Sequence, residues 1–314
     1  MDNLKNNIGI TAIGTYIPHK RVSNFEKMIK FGVDESFIEN KIGIDYTSQK
    51  DTSELTSDLC VKAINELIRN SNVSLDELQC LIIVTQNPDN DGLPHTSAIV
   101  HKKLGINSKC STFDISLGCS GFVYGIAVIQ SFMCLNNFTK GILVTCDPYS
   151  EIVNEDDKNT SLLFGDAATA TLFTDNPIFK SENFIFGTHS EDLNALESNN
   201  RQLFMDGRAV FNFAATQIPK QVRQLVIDSN YEIEQIDLFL FHQGSKYIID
   251  TLVKKIGINP EKAPSNLKNI GNTVSSSIPL LLYEYINNSN IKIVFLSGFG
   301  VGLSTASCIL RRVA

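Results

Sequence analysis

Three side chains in this sequence have the types and the settings for covalent chemistry: Cys119, His242 and Asn272. Cys119 sits in the small-residue turn Ser116-Leu-Gly-Cys-Ser-Gly121, between a strand read over Ser111–Ile115 and a helix read over Ser120–Met133. A thiol at the first position of a helix faces unpaired N–H groups and the positive end of the dipole, and both favour the nucleophilic thiolate. Gly118 and Gly121 leave room for a substrate to approach the backbone closely. His242 follows Leu238-Phe-Leu-Phe and precedes Gln243-Gly-Ser245. It therefore stands where a strand ends and a helix begins, the place where α/β proteins present ligand-contacting groups. Asn272 lies in Asn269-Ile-Gly-Asn-Thr-Val-Ser-Ser-Ser-Ile-Pro279. Each residue also has a plainer reading: one buried thiol among seven, a hydrogen-bonded structural imidazole, and a turn or N-cap amide.

The elements that must position these residues alternate. Leu81–Thr85, Gly141–Thr145, Leu238–Phe241 and Ile291–Leu296 are short, mainly apolar runs of the buried-strand kind. Thr56–Ile68 and Ser245–Ile256 carry apolar residues at helical spacing, and the segment after Cys119 is apolar nearly all round, as a central helix would be. Strand-helix alternation predicts an α/β architecture with mixed, mainly parallel sheets. The plan occurs twice: an acidic stretch, a strand, and about 30 residues later a small-residue turn, Gly118-Cys-Ser-Gly in one half and Gly271-Asn-Thr in the other. A duplicated chain is expected, with halves 1–173 and 174–314, whose corresponding turns meet at one site.

Composition limits the function. Of 314 residues 43% are hydrophobic and 19% charged, which suits a soluble globular chain. A net charge of −7 disfavours broad binding to nucleic acid or anionic membranes. Seven singly scattered cysteines without a Cys/His cluster argue against a disulfide framework and a zinc site. The amino terminus lacks signal-peptide features and no run is long enough to span a membrane, so a cytoplasmic protein is expected. The run Gly298-Phe-Gly-Val-Gly302 lacks the third glycine of a dinucleotide fingerprint and leads into a strand over Ser304–Leu310, so it reads as a backbone turn lining a site.

Taken together, Asp114-Ile-Ser-Leu-Gly-Cys-Ser-Gly-Phe122, Phe164-Gly-Asp-Ala-Ala168, Met205-Asp-Gly-Arg-Ala-Val-Phe211, Phe241-His-Gln243, Gly271-Asn-Thr273 and Gly298–Gly302 occur in a family's order. On these motifs, and on Ile13-Gly-Thr-Tyr-Ile-Pro18 and Val22-Ser-Asn24, the chain resembles the β-ketoacyl-acyl-carrier-protein synthase III enzymes over nearly its whole length. The resemblance implies a thiolase-like fold of layered αβαβα type. It implies an acyltransferase whose Cys-His-Asn triad falls on Cys119, His242 and Asn272. An acyl thioester loads Cys119, and decarboxylative Claisen condensation with a malonyl thioester follows. Backbone N–H groups of Cys119 and Val301 would serve the oxyanion. The acyl pocket would involve Leu93, Phe211 and Phe299, with Leu93 reaching a neighbouring subunit. Phe37, Lys41, Lys158, Gly207, Arg208, Gly244, Ser245 and Lys246 would meet acyl-CoA or the acyl carrier protein, and Lys41, Lys158, Arg208 and Lys246 would form its basic docking patch. A homodimer is implied, and no metal or redox cofactor is required.

The departures bear on substrate. Leu93 stands where an aromatic residue is frequent, Phe37 where a tryptophan stacks on adenine, Lys41 and Lys158 where arginines hold phosphate, and Asn212 and Tyr247 where basic residues dock the carrier. Ser245 stands where an asparagine is usual, and Val301 replaces a glycine. These point to a specialised primer. Acyl transfer to an alcohol or amine without decarboxylation, with His242 as general base, and a non-catalytic partner subunit are the alternatives.

Overall fold

The computed structural model describes residues 7–313; most of the polar amino terminus, read above for its lack of signal features, lies outside them. Five strands of the main sheet come from the first half: β1 (Gly9–Tyr16), β2 (Cys80–Val84), β3 (Ser111–Ile115), β4 (Lys140–Cys146) and β5 (Ala168–Thr174). Four come from the second: β6 (Phe179–Thr188), β7 (Leu238–Phe241), β8 (Ile293–Gly300) and β9 (Ser304–Arg312). They form one sheet in the order β7-β8-β9-β6-β1-β5-β4-β2-β3. Within that sheet the two halves join through one pairing, Ile10 with Phe179. Outward from that seam, β1-β5-β4-β2 is repeated as β6-β9-β8-β7. The same strand order and ladder directions thus occur on both sides of the seam, with no counterpart of β3 beyond β7. The sheet is mixed. Parallel ladders join β3 to β2, β2 to β4 and β7 to β8, while antiparallel ladders carry the chain through the middle.

Six helices of nine or more residues complete the layers: α1 (Thr56–Ser71), α2 (Thr96–Leu104), α3 (Gly121–Asn136), α4 (Gly207–Asp228), α5 (Lys246–Ile256) and α6 (Ser277–Tyr285). Helices α1 and α2 cover the outer face of the first half, and α4 with α5 covers that of the second. Between the halves lie α3 and α6, each touching strands of both. The sequence dictates this placement. Phe122, Val123, Ile126, Ile129 and Met133 of α3 are all fully buried, against Val84 and Leu143 on one side and Leu296 and Cys308 on the other. A side chain of that size contributes about 1.5–3 kcal/mol on full burial, so an all-apolar helix belongs in the middle layer. Asn137, left-handed at φ 55°, ends it.

Boundaries shift modestly from the sequence reading. Strands β3 and β7 coincide with it, β8 runs on to Gly300, and α3 begins at Gly121 rather than Ser120. Cys119 therefore precedes the helix proper, and Ser120 is its N-cap. Gly118 and Gly121 serve a purpose other than the expected one. A Cβ on Gly118 would collide with Gln86 Oε1, and one on Gly121 with Val84 Cγ1. The chain's own side chains, not a substrate, occupy the space those residues leave.

Candidate active site

The carboxyl ends of β3, β7 and β8, together with the turn before α6, deliver Cys119, His242, Phe299, Gly300 and Asn272 to one cavity of about 820 Å³. The corresponding turns of the two halves meet there. The glycines of the final run allow the approach. A Cβ on Gly298 would lie 2.6 Å from the Cys119 carbonyl oxygen, and one on Gly300 would lie 2.7 Å from its Sγ. The strand thus packs directly on Cys119, and the N–H groups of Val301 and of Cys119 itself face the sulfur.

Burial overturns the expected thiolate. Cys119 is 3% exposed. Desolvation, reinforced by the buried Asp147 carboxylate, pushes its thiol up to about 12, while the two N–H groups pull the other way without prevailing. Because the helix starts two residues later, the dipole does not reverse this. His242 is also buried, and desolvation lowers it to about 3 against the opposing pull of the Val274 carbonyl. Both groups therefore rest neutral at pH 7.

Val274 orients both partners of the cysteine. It is a β-branched residue held at φ 51°, a conformation such side chains rarely adopt. Its N–H donates to Asn272 Oδ1 at 2.9 Å, which commits that oxygen and leaves the Nδ2 donor for the cavity. Its carbonyl accepts from Ser277 Oγ at 2.9 Å, and the same hydroxyl lies 2.8 Å from His242 Nδ1. With the serine proton spent on Val274, Ser277 Oγ accepts from Nδ1–H. The resting imidazole then offers Nε2 as an acceptor. Phe299 meets the ring edge-on at 5.5 Å.

At the mouth, the Phe37 ring lies between two ammonium groups, Lys41 Nζ at 5.5 Å and Lys158 Nζ at 5.7 Å from its centroid. Gly207, Arg208, Gly244 and Ser245 line the same cavity. Ser245 also caps α5, accepting from the Ile248 N–H at 3.3 Å. Phe211 lines the wall and stacks on Tyr247, with ring centroids 5.0 Å apart. Two expected residues lie elsewhere, and Val301 contributes its backbone alone. Lys246 points into a neighbouring depression, where it pairs with Asp250 and packs over Gly43. Leu93 is 86% exposed and does not line the cavity of its own chain. Val301 presents its N–H to the sulfur, but its side chain walls a second cavity.

Sequence reasoning missed Asp147, Ser275 and Ser277. Asp147 follows β4, and the strand-end rule that found His242 would have found it. It is fully buried, accepts from the Gln86 N–H at 2.6 Å and from Ser275 Oγ, and burial raises it to about 6. No disulfide joins any of the seven cysteines; besides Cys119 five are buried and Cys134 is partly so. No cluster of three metal-ligating side chains occurs among the described residues, and no described helix is long and apolar enough to cross a membrane.

Two half-sheets separated by a pair of central helices, with cysteine, histidine and asparagine converging at their strand ends, define a thiolase-like condensing-enzyme fold. Residues 113–192 match the 3-oxoacyl-[acyl-carrier-protein] synthase III family model, and residues 227–312 match its C-terminal model. The chain is 32% identical to the Streptococcus mutans β-ketoacyl-[acyl-carrier-protein] synthase III over 96% of its own length and 98% of that protein's. A Streptococcus pneumoniae enzyme of the same name is likewise 32% identical over 96% and 98%. The crystal structure of 3-oxoacyl-[acyl-carrier-protein] synthase III from Aquifex aeolicus superposes with a TM-score of 0.90 at 27% identity, covering 97% of this chain and 99% of that one. The chain belongs to the β-ketoacyl-[acyl-carrier-protein] synthase III family.

Proposed function

We propose that this protein joins an acyl thioester to a malonyl thioester with loss of carbon dioxide, using Cys119, His242 and Asn272. The observation that carries this reading is the convergence of those three side chains on one cavity, with the Val301 N–H at the sulfur.

The neutral resting state sets the sequence of proton transfers. His242 Nε2 takes the thiol proton as Cys119 attacks, and returns it to the departing thiolate of the donor. The oxyanion formed at the acyl carbon meets the N–H groups of Cys119 and Val301. In the second half-reaction, malonyl decarboxylation leaves an enolate whose oxygen needs donors. Asn272 Nδ2 is one. His242 becomes the other when the Ser277 hydroxyl turns toward Nδ1 and the imidazole proton resides on Nε2. The enolate carbon attacks the acyl-cysteine, and the sulfur departs and is reprotonated. The donor is acyl-CoA or an acyl carrier protein, entering past Phe37, Lys41, Lys158, Gly207, Arg208, Gly244 and Ser245. The reaction needs no cofactor beyond its thioester substrates. The active form is a homodimer of chains with halves 1–173 and 174–314, in which exposed Leu93 reaches the partner's acyl pocket.

Incubation with acyl-CoA followed by mass analysis tests the first step. Cys119→Ala is expected to abolish the adduct; labelling at the wild-type level in that variant would refute the reading. Consumption of a malonyl thioester by the acylated enzyme separates condensation from simple transfer.

A further inference from the structure

The turn that carries Asn272 runs on into three consecutive buried serines, Ser275, Ser276 and Ser277. Each hydroxyl has a different partner. Ser277 Oγ meets His242, as described above. Ser276 Oγ lies 3.0 Å from the Thr145 carbonyl oxygen in β4 and 3.2 Å from that of Ala167, just before β5. Ser275 Oγ donates to Asp147 Oδ2, immediately past the end of β4. A turn of the second half is thus fastened to strand ends of the first.

Asp147 is the fully buried end of this fastening. Its partners are the Gln86 N–H at 2.6 Å and the hydroxyl and N–H of Ser275, and among the described residues no cation faces it. A buried carboxylate is tolerated only with such donors, so the grip on Ser275 is firm. Both oxygens are engaged and the side chain does not line the larger cavity, so it is not placed to exchange a proton with substrate. The grip matters because of the residue before Ser275. Val274 sits at φ 51°, which a β-branched side chain keeps only when its surroundings over-determine it. On one side the Asn272 N–H is tied to the Leu163 carbonyl at 2.8 Å; on the other, Asp147 holds Ser275. Between these two ties Val274 directs its N–H to Asn272 Oδ1 and its carbonyl to the Ser277 hydroxyl.

We infer that Asp147 is a positioning residue: through Ser275 it holds Val274 in the conformation that aims Asn272 Nδ2 and the His242 imidazole at the malonyl thioester oxygen. This rests on the condensation reading above. The same carboxylate acts in the opposite sense at the sulfur. The thiols of Cys119 and Cys146 and the hydroxyl of Tyr149 are the titratable groups around it, and its negative charge disfavours ionisation of each. Asp147 therefore serves decarboxylation while restraining the thiolate, and a residue that merely supported the fold would serve both.

The test compares the full-length enzyme with Asp147→Asn, which keeps the shape and removes the charge, and with Ser275→Ala, which keeps the charge and releases the turn. One readout is carbon dioxide release from malonyl-acyl carrier protein, primed by whichever short acyl-CoA labels Cys119 best. The other is alkylation of the Cys119 peptide by iodoacetamide at pH 8. In both variants kcat for carbon dioxide release is expected to fall about tenfold or more, with KM within about twofold. Alkylation is expected to rise about threefold in Asp147→Asn, because a tenfold gain in thiolate is partly offset by its weaker nucleophilicity. In Ser275→Ala it should stay within about twofold of wild type. Carbon dioxide release within twofold of wild type in either folded variant would overturn the assignment, as would a parallel loss of alkylation. Should Asp147→Asn not fold, the same two readouts on Ser275→Ala decide. A wild-type enzyme that labels on Cys119 yet releases no carbon dioxide would instead overturn the condensation reading, and the positioning assignment with it.

Discussion

The Nδ1 atom of His242 lies 2.8 Å from the Ser277 hydroxyl, whose own proton is directed at the Val274 carbonyl 2.9 Å away. The serine thereby selects the imidazole tautomer. In the resting arrangement Nε2 is bare and suited to accept the Cys119 proton. Rotation of the hydroxyl toward Nδ1 leaves the proton on Nε2, the form that donates to an enolate oxygen.

Ser277→Ala separates those two duties. Without the hydroxyl, Nδ1–H has only the Val274 carbonyl to turn to, and the imidazole is held as an acceptor. Acylation of Cys119 should persist near the wild-type rate, while decarboxylation of the malonyl thioester falls about tenfold, the worth of one net hydrogen bond. Ser277→Thr, which keeps a hydroxyl, should recover most of the loss. Adduct formation by mass and carbon dioxide release are the two readouts. A similar loss in both half-reactions would mean that Ser277 merely supports the fold.

The ionisation of Cys119 gives a pH profile. Burial and Asp147 hold its thiol up to about 12, and His242, lowered to about 3, stays uncharged through the working range. The thiolate fraction is therefore small at pH 6 and grows with every unit of pH until the thiol titrates. Alkylation of the Cys119 peptide by iodoacetamide should rise roughly tenfold per pH unit from 6 to 9 without a plateau. His242→Ala should leave that slope unchanged. A plateau near neutrality, lost in His242→Ala, would instead reveal a thiolate-imidazolium pair.

Much of this arrangement was legible in the sequence, for identifiable reasons. Strands such as Ser111–Ile115 and Leu238–Phe241 are short apolar or β-branched runs bounded by turn residues. The doubled plan placed Cys119 and Asn272 at equivalent turns, and the fold brings those turns together. What local pattern could not supply was anything set by packing between distant segments. Nothing around Cys119 announces that Gly298 and Gly300 press on it and exclude water. A valine in the left-handed region defies its own preference, so the role of Val274 in aiming both His242 and Asn272 has no signature in its neighbours. Lys246 turns toward Asp250, one turn further along α5, and packs over Gly43, a segment far off in the chain. The walls of the second cavity come from Gln86, Tyr149 and Arg201, too far apart in sequence to suggest that they meet.

Close approach of the last glycine run makes Gly300→Ala a sensitive probe. The new methyl would meet Cys119 Sγ at 2.7 Å and its Cβ at 2.8 Å, too close for either atom to stay in place. The sulfur would be driven off the Val301 N–H, and the acyl oxyanion would lose its alignment with that donor. Loss of one such donor costs about 10²–10³ in rate, so acylation should fall by that factor while circular dichroism stays native. Acylation within tenfold of wild type would show that the Val301 N–H does not serve the reacting atoms.

The charges at the mouth predict how the carrier docks. Net charge is −7, so an acidic carrier protein meets overall repulsion and must find a local basic rim. Lys41, Lys158 and Arg208 line the entrance, whereas Lys246 is neutralised by Asp250 outside it. Reversal to Glu at each of the first three should raise the apparent KM for the carrier-bound malonyl thioester several-fold, with much less effect on self-acylation from a small thioester. Lys246→Glu should leave both within about twofold, as expected for an exposed ion pair. Added salt should shrink the differences, since a screening length of ~3 Å at 1 M leaves little long-range attraction to lose. Equal effects on carrier-bound and small thioesters, or a Lys246 variant as impaired as the others, would place the docking surface elsewhere.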